Sequence, residues 1–181
     1  MTGVQTCALP ISHSLNIKFP VSILQSTVEK EQKLSFSTLP GIPHTILDQL
    51  VCENLVHLKF SKCRFHADDF ENFNKLTYLK DLSMPDCHLK SIPKEIFVLT
   101  GLEELHLSRN LIEKIDFDIL ALKMVKVLRL DNNKLQTIAP NSLTKLENLE
   151  SLDINGNLDL EMDALREVRS EERRVGKECR L

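Results

Sequence analysis

The residues with chemistry to offer are six histidines, five cysteines and twenty-six carboxylates among 181 residues. Nucleophilic catalysis needs a Ser or Cys beside a base that a third group orients. No recognisable motif sets such a residue next to His57 or His106, and these two occupy different positions of a repeated pattern, two units apart. Phosphate chemistry needs a glycine-rich loop whose backbone can approach the anion. The chain has five glycines and no such loop. Asp68-Asp69 reads as a helix start, where the helix dipole favours negative charge, rather than as a metal site. The expectation is a non-enzymatic protein with no metal and no cofactor.

Cys7 and Cys179 lie near the ends, and Cys52, Cys63 and Cys87 form no C-x-x-C and are odd in number. Neither a zinc ribbon nor a paired disulfide framework is indicated. A reducing, intracellular compartment, cytoplasm or nucleus, is expected. Basic residues number 23 against 26 acidic, for a net charge of −3. No apolar run approaches the ~20 residues of a membrane span. Partners are therefore expected to be neither membrane nor nucleic acid, which wants a basic face.

What must position any functional side chain is a strip of eleven residues that recurs. Residues 102–112 read L-E-E-L-H-L-S-R-N-L-I, and residues 55–65, 79–89, 125–135 and 149–159 align with them. First positions at 55, 79, 102, 125 and 149 give steps of 24, 23, 23 and 24. Between strips, Ile92, Ile115 and Ile138 recur, as do Leu76, Leu99, Leu122 and Leu146. Only the eleventh position of the last strip, Asp159, departs from the apolar pattern.

The strip resembles the leucine-rich repeat, L-x-x-L-x-L-x-x-N/C-x-L. The resemblance implies an α/β solenoid. A curved parallel sheet forms its concave face and short helical or 3₁₀ returns form its convex face, in about five full repeats plus a degenerate N-terminal one. The degenerate unit places Leu34, Phe36 and Leu39 at the fourth, sixth and ninth positions, 24 residues before the first full strip. Residues 13–54 thus form an approach and capping repeat, and residues 55–168 the repeats proper. Within the approach, residues 16–28 read as extended or irregular and residues 45–51 as helical. A helical return through Met162, Leu165 and Val168 closes the last repeat.

The ninth column reads Cys63, Cys87, Asn110, Asn133, Asn157. An inward Asn amide can satisfy backbone groups that lose their ladder partners where the strand bends. A buried polar group left unpaired costs roughly 1–3 kcal/mol. Cys is a weaker donor, so the first two bends are expected to be held less firmly. The third, fifth, second and eighth positions point out of the strip. At the fifth lie Lys59, Ser83, His106, Arg129 and Asp153, and at the third His57, Asp81, Glu104, Val127 and Ser151. Stacked at about 4.8 Å, they make a surface of mixed charge. It suits a protein partner, and Lys59, Asp81, Ser83, Glu104, His106, Arg129 and Asp153 are the expected contact residues.

Both ends, residues 1–12 and 169–181, resemble conceptual translations of sequencing-library adapters, so they are expected to lie outside the fold and to leave the last repeat uncapped. A narrower likeness rests on residues 16–24 (N-I-K-F-P-V-S-I-L), on Lys33-Leu34 and on Cys63 at the ninth position of the first strip. Together these look like the leucine-rich-repeat substrate-recognition subunit of cullin-RING ubiquitin ligases. That resemblance implies a fragment that selects a protein for ubiquitination, with ligase components recruited by regions outside it. The other class left open is an intracellular scaffold or regulatory subunit for a phosphatase, a GTPase or a cytoskeletal partner.

Overall fold

The computed structural model describes residues 32–38, 55–161, 163, 166 and 178–180. The expected helix at 45–51, the extended segment at 16–28, Leu39, and Met162, Leu165 and Val168 lie outside the described residues.

Each strip contributes one short strand: β1 (Lys33–Ser37), β2 (His57–Ser61), β3 (Asp81–Ser83), β4 (Glu104–His106), β6 (Val127–Arg129) and β8 (Ser151–Asp153). They pair in parallel with offsets of 24, 24, 23, 23 and 24 residues, the steps read from the leucines. Side chains alternate across a strand. The fourth-position leucines, Leu58, Leu82, Leu105, Leu128 and Leu152, are therefore buried, while the third and fifth positions face outward. A second sheet of two strands, β5 (Lys114–Ile115) and β7 (Thr137–Ile138), joins two coils beyond the bend.

The returns are 3₁₀ segments at Ala67–Lys75, Lys94–Val98 and Phe117–Ala121, which bury Phe70, Phe73, Ile96 and Ile119. Asp68 and Asp69 fall in the first turn of the first segment, and the Asp69 carboxylate accepts from the His66 backbone N–H at 2.7 Å. Leu76, Leu99, Leu122 and Leu146 close the core against the following strip. In the last strip Asp159 and Leu158 are exposed and Leu160 is buried, so the inward place is taken one residue late.

Of the C-terminal residues 169–181, which the adapter resemblance sets apart, the described part is one strand: β9 (Glu178–Arg180) pairs in parallel with β8, matching Ser151 to Glu178 and Asp153 to Arg180. The edge of β8 offers unpaired N–H and C=O groups, and backbone pairing does not require a repeat sequence.

The eighth position carries a feature the strip pattern concealed. Thr38, Lys62, Asp86, Arg109, Asn132 and Gly156 all have positive φ, between 54° and 75°. One left-handed residue ends each strand and swings the ninth side chain inward. Such a conformation costs an L-residue roughly 1–2 kcal/mol. Only Asp86, Asn132 and Gly156 are types that favour it, and Lys62 and Arg109 hid the signal by looking like ordinary surface residues.

Candidate partner-binding face

Beneath the exposed face, the ninth column fixes how the strands meet the bends. Asn110 Oδ1 accepts from the N–H groups of Cys87 (2.9 Å) and Leu89 (3.1 Å), while Nδ2 donates to the carbonyls of Met84 (2.8 Å) and Leu107 (2.9 Å). Asn133 Oδ1 accepts from Ile112 N–H at 3.1 Å, and its Nδ2 donates to Leu107 O at 3.0 Å and Leu130 O at 2.9 Å. Asn157 does the same one coil further, from Leu135 N–H (3.0 Å) to Leu130 O (3.0 Å) and Ile154 O (2.6 Å). Each amide ties its own coil to the preceding one.

The two cysteines do half of this. Cys63 Sγ donates toward Ser61 O at 3.4 Å and Phe36 O at 3.8 Å, and Cys87 Sγ toward Pro85 O at 3.4 Å and Phe60 O at 3.5 Å. Burial, the largest influence, pushes the Cys87 thiol up to about 12, so it stays protonated and serves as a donor rather than a nucleophile. Neither thiol is in a disulfide. Around them a file of rings fills the coil interior: Phe36 on Phe60 (5.2 Å), Phe60 on Phe65 (5.2 Å), Phe65 on Phe70 (4.9 Å) and Phe70 on Phe73 (5.1 Å). The sequence signal for this was four phenylalanines within residues 60–73, which the leucine pattern absorbed without remark.

On the exposed face, β2 carries Lys59, β3 carries Asp81 and Ser83, β4 carries Glu104 and His106, β6 carries Arg129 and β8 carries Asp153. Lys59, Glu104 and Arg129 are exposed, and Asp81, Ser83, His106 and Asp153 are half-buried. Register places Asp81 opposite Glu104 and His106 opposite Arg129, which in turn faces Asp153.

The two histidines that sequence position separated are brought to one carboxylate. His57 Nδ1 lies 3.2 Å from Asp81 Oδ2, and His106 Nε2 lies 3.8 Å from Asp81 Oδ1 and 3.0 Å from Glu104 Oε2. Columns are not isolated stripes, because side chains two residues apart on neighbouring strands reach each other diagonally. Sequence reasoning kept the third and fifth columns apart and missed this. Along the second position, Lys80 and Lys126 both hold Glu103, at 3.1 and 2.7 Å. Those hydrogen bonds, Lys126's first, keep the Glu103 carboxyl below its ordinary value, and Glu103 in turn raises Lys126.

With this geometry in hand, similarity to known proteins is informative. A family model described as leucine rich repeat matches residues 119–158. The chain is 33% identical over 124 residues to the volume-regulated anion channel subunit LRRC8D of Rattus norvegicus, covering 67% of this chain and 14% of that protein. It is 26% identical over 159 residues to Tsukushi of Xenopus tropicalis, covering 86% of this chain and 42% of that protein. Among solved structures, a leucine-rich-repeat protein of Leptospira interrogans superposes with a TM-score of 0.55 at 25% identity, over 77% of this chain and 40% of that one. An internalin of Listeria monocytogenes superposes with a TM-score of 0.51 at 17% identity, over 71% of this chain and 46% of that one, and shows the fold alone.

The chain is therefore folded as a leucine-rich-repeat solenoid, with residues 119–158 matching the repeat itself. Such proteins generally mediate protein–protein interaction rather than catalysis. Among the described residues no helix is long and apolar enough to cross a membrane.

Proposed function

We propose that the chain is a non-enzymatic recognition module that docks a protein partner on the outward face of its main sheet. The carrying observation is the register. Five neighbouring parallel strands hold Lys59, Asp81, Ser83, Glu104, His106, Arg129 and Asp153 on one continuous surface of mixed charge, each fixed by a buried leucine beside it. A rigid, patterned surface discriminates partners by charge complementarity. A single-sign stripe, which a polyanion would need, is missing from the described strands.

The test is capture from cell extract by the intact chain, by the double variant Lys59→Glu with Arg129→Glu, and by a control pair on the returns, Lys145→Glu with Glu147→Lys. Partners lost in the first variant and kept in the control support the reading. Equal capture by all three moves the site off the sheet.

The finer role of selecting substrates for ubiquitination draws support from the short motifs at residues 16–24 and 33–34 and from Cys63 at its ninth position. Co-purification with elongin and a cullin from a full-length transcript tests it, and their absence favours the scaffold role. The thiols of Cys63 and Cys87, used as hydrogen-bond donors rather than in disulfides, support an intracellular setting.

A further inference from the structure

The rung formed by His57, Asp81 and Glu104, with His106 beside it, is poorly explained as a surface for water. Asp81 and Glu104 are direct partners in the register of β3 and β4, and like charges directly opposite in a sheet destabilise it. Asp81 Oδ1 is buried and has no hydrogen-bond partner, although a buried charged oxygen without one is costly. The other oxygen, Oδ2, is held by His57 Nδ1 at 3.2 Å. Oδ1 is thus aimed toward His106 Nε2, 3.8 Å away, which itself stands 3.0 Å from Glu104 Oε2. One donor atom each from Asp81, Glu104 and His106 lies within 4.8 Å of the others.

We infer that Asp81, Glu104 and His106 form a divalent metal site, with zinc the ion that suits the donors best. Ligands about 2.0–2.2 Å from a tetrahedral zinc stand roughly 3.3–3.5 Å apart; the two spacings from His106, 3.0 and 3.8 Å, bracket that value, and the Asp81 and Glu104 donors lie within 4.8 Å of each other, so binding draws the two carboxylates together. The ion places positive charge between two opposed carboxylates and gives Asp81 Oδ1 the partner it lacks. An imidazole nitrogen among three donors favours a first-row transition ion over calcium or magnesium, which take oxygen sets. With Nδ1 protonated, His57 donates to Asp81 Oδ2 and fixes the carboxylate, acting as a positioning residue. Three protein ligands leave the fourth position open on the exposed face, for water or for a carboxylate or imidazole of another molecule. The site goes beyond the recognition role and does not depend on it.

The experiment is calorimetric titration of the full chain with zinc chloride, under a non-chelating reductant, paired with visible absorption of the cobalt(II) form. One site per chain is expected, with cobalt bands of a nitrogen–oxygen environment. His106→Ala and Asp81→Asn should each weaken binding by about tenfold or more, and His57→Ala by less. His88→Ala should leave it unchanged. His106→Gln, checked by circular dichroism, separates lost ligation from lost folding. Absence of saturable binding, wild-type affinity in both His106→Ala and Asp81→Asn, or thiolate charge-transfer bands that place the ion on cysteine would each overturn the assignment.

Discussion

At the last three bends an inward amide, buried at Asn110 and Asn133 and half-buried at Asn157, reaches from one coil to the one before it, whereas at the first two a thiol stands in that position and phenylalanine rings fill the interior. The two arrangements fail differently. Amides hold specific backbone atoms at specific distances, as Asn133 does with Ile112, Leu107 and Leu130. Rings contribute burial and edge or face contacts, which depend on volume more than on direction. Backbone rungs follow the same division. Leu111 N–H reaches Leu89 O and Lys134 N–H reaches Ile112 O, and β5 pairs with β7. Among the described residues no such rung joins residues 64–66 to 88–90. A cleft of about 890 Å³ opens there instead, lined by Arg64, Phe65, His66, His88, Lys90 and Lys94 among others. Where the ladder is amide the coils close together past the bend, and where it is thiol they part.

The largest effect is expected from the aromatic half. Phe60→Ala removes the ring that touches both Phe36 and Phe65, and its urea midpoint should fall by the equivalent of about 3–5 kcal/mol. A loss below that of an isolated leucine truncation would show that the rings are not a single packed file. Next comes Asn133→Ala, at about 1–3 kcal/mol for the backbone groups it strands, against about 1 kcal/mol or less for Cys87→Ala, whose one weak proton has little to lose. Equal losses in the same titration would erase the distinction between the two kinds of bend.

The left-handed column lets the same comparison be made residue by residue. Arg109→Gly, at φ 57°, should raise the thermal midpoint by the equivalent of about 1 kcal/mol. Gly156→Ala should lower it, because a Cβ there would stand 2.8 Å from Asn132 Oδ1. A neutral Arg109→Gly would mean that the arginine makes a compensating contact.

The smallest effect concerns Glu103, whose partners Lys80 and Lys126 span the boundary between thiol and amide coils. Its carboxyl is lowered from 4.5 in the folded chain. The contribution is therefore fully present above that value and lost as pH falls through the folded one. The difference in thermal midpoint between the parent chain and Glu103→Gln should be small at pH 7 and vanish in strong acid. It should also shrink in high salt, since the partners are exposed. A difference that grows on acidification would reverse the assignment.

How far the sequence could be read depended on whether a residue repeats. The leucines gave the strand register to the residue, because each step is imposed by a side chain that must be buried in every coil. The ninth column announced itself for the same reason. Phe65, Phe70 and Phe73 act once, in one stretch of the stack, so periodicity had nothing to say about them. The carboxylate between His57 and His106 was hidden because the contact runs diagonally across two columns. The pairing of β9 was unreadable because an exposed strand edge accepts backbone regardless of side chains.

The steps between strands are 24 residues in some coils and 23 in others while the sheet stays in register. The additional residue must therefore be taken up by the outer arc, where a stretch such as Ala67–Lys75 differs in length from Lys94–Val98. Length is thus a free variable on one side of the molecule and a fixed one on the other. A loop or tag grafted near Thr144 would ride outside without disturbing its neighbours, whereas one residue added after Asp81 would turn Leu82 and Ser83 each to the opposite face.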